Sequence, residues 1–222
     1  MKSINKIVLI GGGEIGILDE EIIKLVKKDN PKFLYIGFGN SYAESTYDIL
    51  KKIYKKQGFE TNHLKKKGLI HNPLLAKERI DNADVIYLGG GDTIEFLKIL
   101  KEYEIDKLLK ECKEKILIGN SAGAIVLSKE GFSDSKILRN ESEKHEFVEG
   151  LNLNELSISP HYEESSKKTS ELLNEIKNSK KEVVCIPNDS AIIIENNKII
   201  KSITRNTSPI IISYKGIKKL PL

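Results

Sequence analysis

Short apolar runs rich in β-branched residues alternate along the chain with glycine-rich turns and charged amphipathic stretches. This order is typical of a mostly parallel sheet with helices on both faces. We predict strands at Lys6–Ile10, Lys32–Ile36, Glu60–Leu64, Val85–Leu88, Ile116–Ile118, Leu156–Ser159 and Glu182–Ile186. Helical patterns lie between them near 18–29, 42–57, 93–113 and 165–179.

The pattern changes towards the C-terminus. Ala191–Glu195 and Lys198–Ile203 flank an Asn-Asn pair, and because asparagine tolerates the positive φ of a tight turn, we predict a β-hairpin there. Pro209–Tyr214 adds a further strand, whereas 129–150 is polar and without a clear period. Since we find no linker or repeat, we predict a single α/β domain over the whole chain of 222 residues.

The composition narrows the possible partners. Hydrophobic residues make up 39% and charged residues 31% of the chain, as in an ordinary soluble protein. The net charge is only +4, and the basic residues are nearly all lysine, so we expect no nucleic-acid partner. The first apolar run is too short for a signal peptide, and there is no apolar run of ~20 residues. The two cysteines have no motif spacing, which favours reduced side chains in the cytoplasm. We therefore predict a cytoplasmic protein that contacts no membrane.

The strongest chemical signal is the sequence around Ser121. The apolar strand at 116–118 runs into Gly-Asn-Ser-Ala-Gly, and an apolar helix follows at once. This is the strand-turn-helix context of a nucleophile elbow, in which small residues at Gly119 and Gly123 let the strand and helix approach each other. The N–H group of Ala122, at the start of the helix, could then donate to an oxyanion.

Two further segments could complete a catalytic site. Val85–Leu88 ends in three glycines before Asp92-Thr93, and Gly90 or Gly91 could supply the second oxyanion donor. His161 follows another predicted strand at the same end of the sheet and is our candidate base. For the other three histidines we expect solvated imidazole rings.

Metal and nucleotide chemistry are disfavoured. The chain has no H-E-x-x-H motif and no cysteine cluster, so we predict no metal site and no cofactor. Gly11–Gly16 satisfies G-x-G-x-x-G, but the second strand ends Gly37-Phe38-Gly39-Asn40 without the acidic residue that a dinucleotide site requires.

Together these segments resemble the peptidase E family, which contains α-aspartyl dipeptidases and, more distantly, cyanophycinases. The resemblance covers nearly the whole chain and rests on Gly-Asn-Ser-Ala-Gly-Ala at 119–124, Gly-Gly-Gly-Asp-Thr at 89–93, Ser-Asp-Ser at 133–135, Ile-Ser-Pro-His-Tyr at 158–162 and Gly-Gly-Gly at 11–13. It implies a class I glutamine amidotransferase-like, flavodoxin-like three-layer fold, with serine in place of the cysteine of those enzymes.

The resemblance also implies roles for individual residues. Ser121 would be the nucleophile, His161 the base, and Gly90 and Ala122 the oxyanion donors. Asp134 falls near the position at which the dipeptidase relatives carry a carboxylate as the third member of a catalytic triad, after the serine and the histidine. The family activity is metal-free hydrolysis of dipeptides that begin with aspartate, and Arg139 is the candidate for binding that aspartate.

Three acids are candidates to bind the imidazole nitrogen that faces away from Ser121: Asp134, Glu141 and Glu163. Glu163 has little reach back to the ring. Asp134 lies thirteen residues after Ser121, which is enough chain for a helix to end and a loop to return, and it is flanked by two serines. We therefore predict Asp134.

The sequence thus predicts a monomeric or homodimeric serine peptidase that cleaves small peptides, in particular dipeptides with N-terminal aspartate, through an acyl-enzyme at Ser121. Two alternatives stay open: a non-catalytic nucleotide- or phosphate-binding domain built on the glycine loops, and an esterase or amidase of another substrate class. An α/β-hydrolase esterase is disfavoured because no His-Gly-Gly loop precedes the nucleophile.

Overall fold

A computed structural model gives the architecture and describes residues 6–72 and 74–220. Residues 1–5, which precede the first apolar run, lie outside the described residues. Over the two described ranges, no helix combines the length and apolarity needed to cross a membrane.

The strands are β1 (Lys6–Ile10), β2 (Lys32–Ile36), β3 (Glu60–Leu64), β4 (Val85–Leu88), β5 (Ile116–Asn120), β6 (Glu130–Ser133), β7 (Glu146–Glu149), β8 (Ser157–Pro160), β9 (Glu182–Ile186), β10 (Ser190–Glu195), β11 (Lys198–Thr204), β12 (Ile210–Ser213) and β13 (Gly216–Lys219). The helices are α1 (Asp19–Ile23), α2 (Ala43–Lys56), α3 (Lys66–His71), α4 (Leu75–Asn82), α5 (Thr93–Glu102), α6 (Ile105–Glu111), α7 (Ala122–Leu127), α8 (Ser135–Leu138) and α9 (Lys167–Ser179).

The described strands form two sheets. The first has the order β11-β10-β1-β5-β4-β2-β3, in which β1 to β5 are parallel and β10 and β11 form the predicted antiparallel hairpin. The second has the order β13-β12-β9-β8-β6-β7, with a parallel centre formed by β6, β8 and β9. The predicted α/β class is confirmed, but the sequence did not indicate that β8 and β9 belong to a separate sheet.

Apolar side chains cover both faces of the first sheet. On one face, Val8 and Tyr35 pack with α1 and α2. On the other, Leu9 and Ile36 share a core with Val184 of the second sheet. The outer face of the second sheet is covered by α9. Burial of both faces explains why the central strands appear as continuous apolar runs.

The structure differs from the predicted helices in two places. The pattern near 18–29 gives an α-helix only over α1, because the amides of Leu25 and Val26 bond three residues back and tighten the chain into turns. The pattern near 93–113 divides into α5 and α6 at Glu104, which has a left-handed φ of 55°. In the polar stretch 129–150, β6, α8 and β7 form without a periodic signal.

Candidate active site

Ser121 lies at the sharp turn between β5 and α7. Its backbone has φ 53° and ψ −113°, a conformation that non-glycine residues rarely adopt and that is held here because Ser121 N–H donates to the Ile10 carbonyl over 3.0 Å. A Cβ at Gly119 would lie only 2.4 Å from the Gly123 carbonyl oxygen. The glycine before the turn therefore permits the close strand–helix approach that directs Ser121 outward.

His161 enters the site from the second sheet, at the end of β8. It too has a left-handed φ, 53°, and its N–H donates to the Gly11 carbonyl over 2.8 Å. The imidazole ring lies against Gly12, where a Cβ would stand 2.1 Å from the ring carbon Cε1. The first glycine turn, which resembles a nucleotide-binding loop in sequence, thus makes room for the histidine.

The serine and histidine side chains are in direct contact. Ser121 Oγ lies 2.7 Å from His161 Nε2, and the Oδ1 atom of Asn188 lies 2.7 Å from Nδ1. With Asn188 Oδ1 accepting a hydrogen bond from Nδ1–H, Nε2 carries the lone pair that can accept the proton of the serine hydroxyl. This geometry meets the distance requirement for a nucleophile and its general base.

Asn188 lies in the turn between β9 and β10, and its neighbour fixes that turn. The N–H of Asp189 donates to Gly12 O over 2.9 Å, and its Oδ1 accepts the N–H of Glu14 over 2.8 Å. The turn is therefore attached to the same glycine loop that contacts the imidazole ring. Sequence reasoning missed Asn188, although Pro-Asn-Asp directly after an apolar strand marks a polar loop at the active-site end of the sheet.

The structure does not bring Asp134 to the imidazole. Asp134 is exposed at the start of α8, and among the described residues its carboxylate has no hydrogen bond to His161, although its charge raises the pKa of that ring. The connection through β6 leaves Asp134 close enough for an electrostatic effect, while Asn188 occupies the position next to Nδ1. Our sequence choice of Asp134 as the hydrogen-bonding third member therefore has no support in the geometry.

The other acids and Arg139 have different partners. Arg139 forms ion pairs with Asp92, Glu95 and Glu141, at distances of 3.3, 3.8 and 2.9 Å. Since three carboxylates surround this guanidinium, it is not poised to bind a substrate aspartate. Glu163 is exposed.

Gly90 and Ala122 lie next to the nucleophile as expected. A Cβ added to Gly90 would be 3.4 Å from Ser121 Cβ, and Ala122 is the first residue of α7. Within the described part of the chain, the N–H groups of Gly90, Gly91 and Ala122 donate to no protein acceptor. Of these three residues, Gly90 and Gly91 line the cleft that contains Ser121.

The surroundings of His161 lower its pKa. Partial burial contributes most, since it disfavours the imidazolium; the charge of Lys168 lowers the pKa further, whereas the Asn188 hydrogen bond and the charge of Asp134 raise it. One side of the ring stays open to the cleft, so water and substrate can reach it. The net effect keeps the ring neutral, as a general base must be, at pH values where an ordinary histidine begins to protonate.

A cleft of about 290 Å³ opens above the serine and histidine. Its lining combines the glycine loops with Ile15, Asn40, Tyr42 and Thr46. Among the residues that the structure describes, no group of three or more His, Cys, Asp or Glu side chains could hold a metal ion.

Of the remaining histidines, two differ from the prediction of solvated rings. The side chain of His63 is only 5% exposed and packs against Tyr35 and Tyr47. His145 Nδ1 lies 2.7 Å from Glu171. Neither of these rings lines the cleft above Ser121.

A serine on a strand-to-helix turn, beside a histidine held by a polar side chain, is the arrangement typical of α/β serine hydrolases. Comparison with known proteins defines the family more closely. The family model for peptidase family S51 matches residues 7–202. The chain therefore belongs to peptidase family S51, and a peptidase function is supported.

Individual relatives agree with the family match. The chain is 25% identical over 166 residues to YgaJ of Bacillus subtilis (strain 168), named an uncharacterized peptidase, covering 71% of this chain and 69% of that protein. It is 30% identical over 147 residues to a protein named peptidase E of Shewanella denitrificans, covering 64% of this chain and only 58% of that protein.

Solved structures share the fold. A structure assigned to a peptidase E protein from Listeria monocytogenes EGD-e superposes with a TM-score of 0.68 at 21% identity, covering 92% of this chain and 100% of the other. A peptidase from an acI-B1 Actinobacterium superposes with a TM-score of 0.71 at 20% identity, covering 99% and 95%. At these identities the likeness concerns the fold alone.

Proposed function

We propose that the chain is a serine peptidase that hydrolyses small peptides through an acyl-enzyme at Ser121. The observation that carries the proposal is the 2.7 Å contact between Ser121 Oγ and His161 Nε2, with Asn188 on the opposite ring nitrogen. A serine hydroxyl is a weak nucleophile until an adjacent base accepts its proton, and this contact supplies that base.

In the first half of the reaction, Ser121 Oγ attacks the carbonyl carbon while His161 Nε2 accepts the hydroxyl proton. The imidazolium then returns that proton to the leaving amine, and the C–N bond breaks to leave an ester on Ser121. In the second half, His161 Nε2 accepts a proton from a water molecule as its oxygen attacks the ester carbon. The C–O bond to Ser121 then breaks, the imidazolium returns the proton to Ser121 Oγ, and the acid product leaves. Asn188 orients the ring throughout and stabilises the imidazolium by accepting a hydrogen bond from Nδ1–H.

The tetrahedral intermediate carries a negative oxygen that needs donors. Ala122 follows Ser121 directly, and Gly90 and Gly91 line the same cleft as Ser121, so their unused N–H groups are the candidate donors. The N-terminus of α7 adds a favourable dipole. Asp134 acts in this proposal through its charge alone, at longer range than Asn188.

The cleft suits a small substrate. Its volume of about 290 Å³ is just below the range for small-molecule sites, roughly 300–1,000 Å³. A dipeptide is a substrate of this size. The aspartate preference implied by the peptidase E resemblance lacks an evident cation, because the cleft-lining residues include no lysine or arginine among those described. We therefore propose dipeptide hydrolysis as the activity and leave the preference for N-terminal aspartate to experiment.

The test measures amine release from a panel of dipeptides that includes Asp-Leu, Asn-Leu and Leu-Leu. We expect turnover by the wild-type enzyme and a loss of several orders of magnitude in Ser121→Ala, because members of a catalytic triad act as a unit. Ser165→Ala, at an exposed serine, is the matched control. A folded Ser121→Ala enzyme with more than about a tenth of wild-type kcat would overturn the mechanism.

A further inference from the structure

Lys168 lies in an unusual place for a lysine. It stands in the first turn of α9, where the helix dipole disfavours a cation, and its side chain is largely enclosed by protein. Its neighbour Lys167 occupies the same turn but is exposed. Lysine is normally a solvated surface residue, so an enclosed ammonium at a helix N-terminus requires a specific partner.

That partner is the backbone of the catalytic histidine segment. Lys168 Nζ donates to the Pro160 carbonyl over 2.8 Å. The N–H of the same peptide group belongs to His161 and donates to Gly11 O over 2.8 Å. The Pro160–His161 peptide is thus held on both sides, at the residue whose left-handed φ of 53° directs the imidazole towards Ser121.

We propose that Lys168 is a positioning residue for His161: its ammonium group holds the Pro160 carbonyl and thereby fixes the imidazole beside Ser121. The proposal rests on the proposed function of His161 as the general base. Lys168 does not contact the reacting atoms, so its effect is transmitted through the peptide group and through its charge.

The charge has a second consequence. The positive Lys168 lowers the pKa of the His161 ring, which helps to keep it in its neutral, proton-accepting form. Asp134 opposes this effect, because its negative charge raises the pKa of both His161 and Lys168. Burial lowers the pKa of Lys168 itself to about 8, while the nearby Cys185 raises it. Lys168 and Asp134 therefore act on His161 with opposite signs.

The experiment follows the His161 ring directly, by NMR titration of its imidazole protons, with the signal assigned by its loss in His161→Gln. Lys168→Met removes the charge and the donor and should raise the His161 pKa. Asp134→Asn should lower it. Lys167→Met, on the same helix turn, should leave it unchanged. An unchanged His161 titration in folded Lys168→Met would overturn the proposal.

Kinetics give the second readout. We expect Lys168→Met to lower kcat roughly tenfold or more, with a smaller change in KM, because a hydrogen bond from a charged group is lost at the segment that carries the base. The acid limb of kcat/KM should move to higher pH, and Lys168→Arg should restore most of kcat. Wild-type kcat and an unshifted limb in Lys168→Met would contradict the positioning role.

Two controls keep the outcome interpretable. If Lys168→Met does not fold, Lys168→Gln tests the charge, since its amide keeps a donor near Pro160 without the charge. An unshifted His161 titration there overturns the proposed effect of the Lys168 charge on the ring. If the wild-type enzyme hydrolyses no peptide, the proposed function fails. The NMR titration still decides the role of Lys168 in that case, because it needs no substrate.

Discussion

Replacement of Asn188 tests whether the polar group on His161 Nδ1 assists catalysis. In Asn188→Ala the ring loses the acceptor that lies 2.7 Å from Nδ1. The lost hydrogen bond matters most when His161 is an imidazolium, since hydrogen bonds with one charged partner contribute about 1.5–3 kcal/mol. If that contribution is made in the transition state, kcat should fall by about 10- to 160-fold.

The assay is steady-state hydrolysis of the best dipeptide at the pH optimum, with thermal unfolding to confirm that each variant is folded. Asn174→Ala, at an exposed asparagine on α9, is the matched control. Asp134→Asn should reduce kcat less than about tenfold, because Asp134 acts through its charge and not through a hydrogen bond to the ring.

Asn188→Asp gives a result of a different kind. A carboxylate beside Nδ1 favours the imidazolium, so the His161 pKa should rise and the acid limb of kcat/KM should move to higher pH. The reasoning would be refuted by a folded Asn188→Ala enzyme with kcat within about twofold of wild type. A larger loss in Asp134→Asn than in Asn188→Ala would instead return Asp134 to the role of third member.

Two further predictions concern pH. Since the His161 pKa is lowered, activity should be retained as pH falls below the ordinary histidine value of 6.5, and a kcat/KM profile with its acid midpoint above that value would contradict the site electrostatics. The second concerns buried Asp19, which accepts a hydrogen bond from Tyr54 and whose pKa burial raises from 3.8 to about 6. Because the pKa is higher in the folded state, the contribution of protonated Asp19 to the free energy of unfolding is complete below pH ~4 and is lost as pH rises through ~6. Asp19→Asn should therefore increase the free energy of unfolding at pH 8 by up to about 3 kcal/mol and have little effect at pH 4. Urea denaturation at both pH values measures this, and a destabilised variant at pH 8 would show that the ionised carboxylate is favoured instead.

The central strands could be predicted from sequence because their apolar runs are short and bounded by glycine. β1, β2 and β4 have the predicted bounds. The second sheet could not be predicted, because β8 and β9 show the same apolar pattern whether they extend the first sheet or form another. Which strands pair is decided by long-range contacts, such as that of Ile158 with Val184, which local periodicity does not record.

The candidate site likewise contains some residues that the sequence indicates and others that it does not. Ser121 could be found because an elbow requires small residues at fixed positions on either side of the nucleophile, and that requirement is visible in the sequence. His161 could be placed because it follows a strand. Asn188 could not, because it reaches the imidazole through tertiary structure, from a turn 27 residues further along the chain. Lys168 lies only 8 residues from Pro160, but a lysine in a charged helical stretch gives no sign that its side chain turns back to that carbonyl.

The central claim is that Ser121 forms a covalent acyl-enzyme, and covalent labelling tests it most directly. The folded wild-type protein is incubated with a fluorophosphonate, and the adduct is located by intact-protein mass spectrometry and peptide mapping. We predict one adduct, on Ser121, that is absent from Ser121→Ala, slow to form in His161→Ala and unaffected in Ser165→Ala. An unlabelled wild-type protein that is shown to be folded, or an adduct on another serine, would contradict the account.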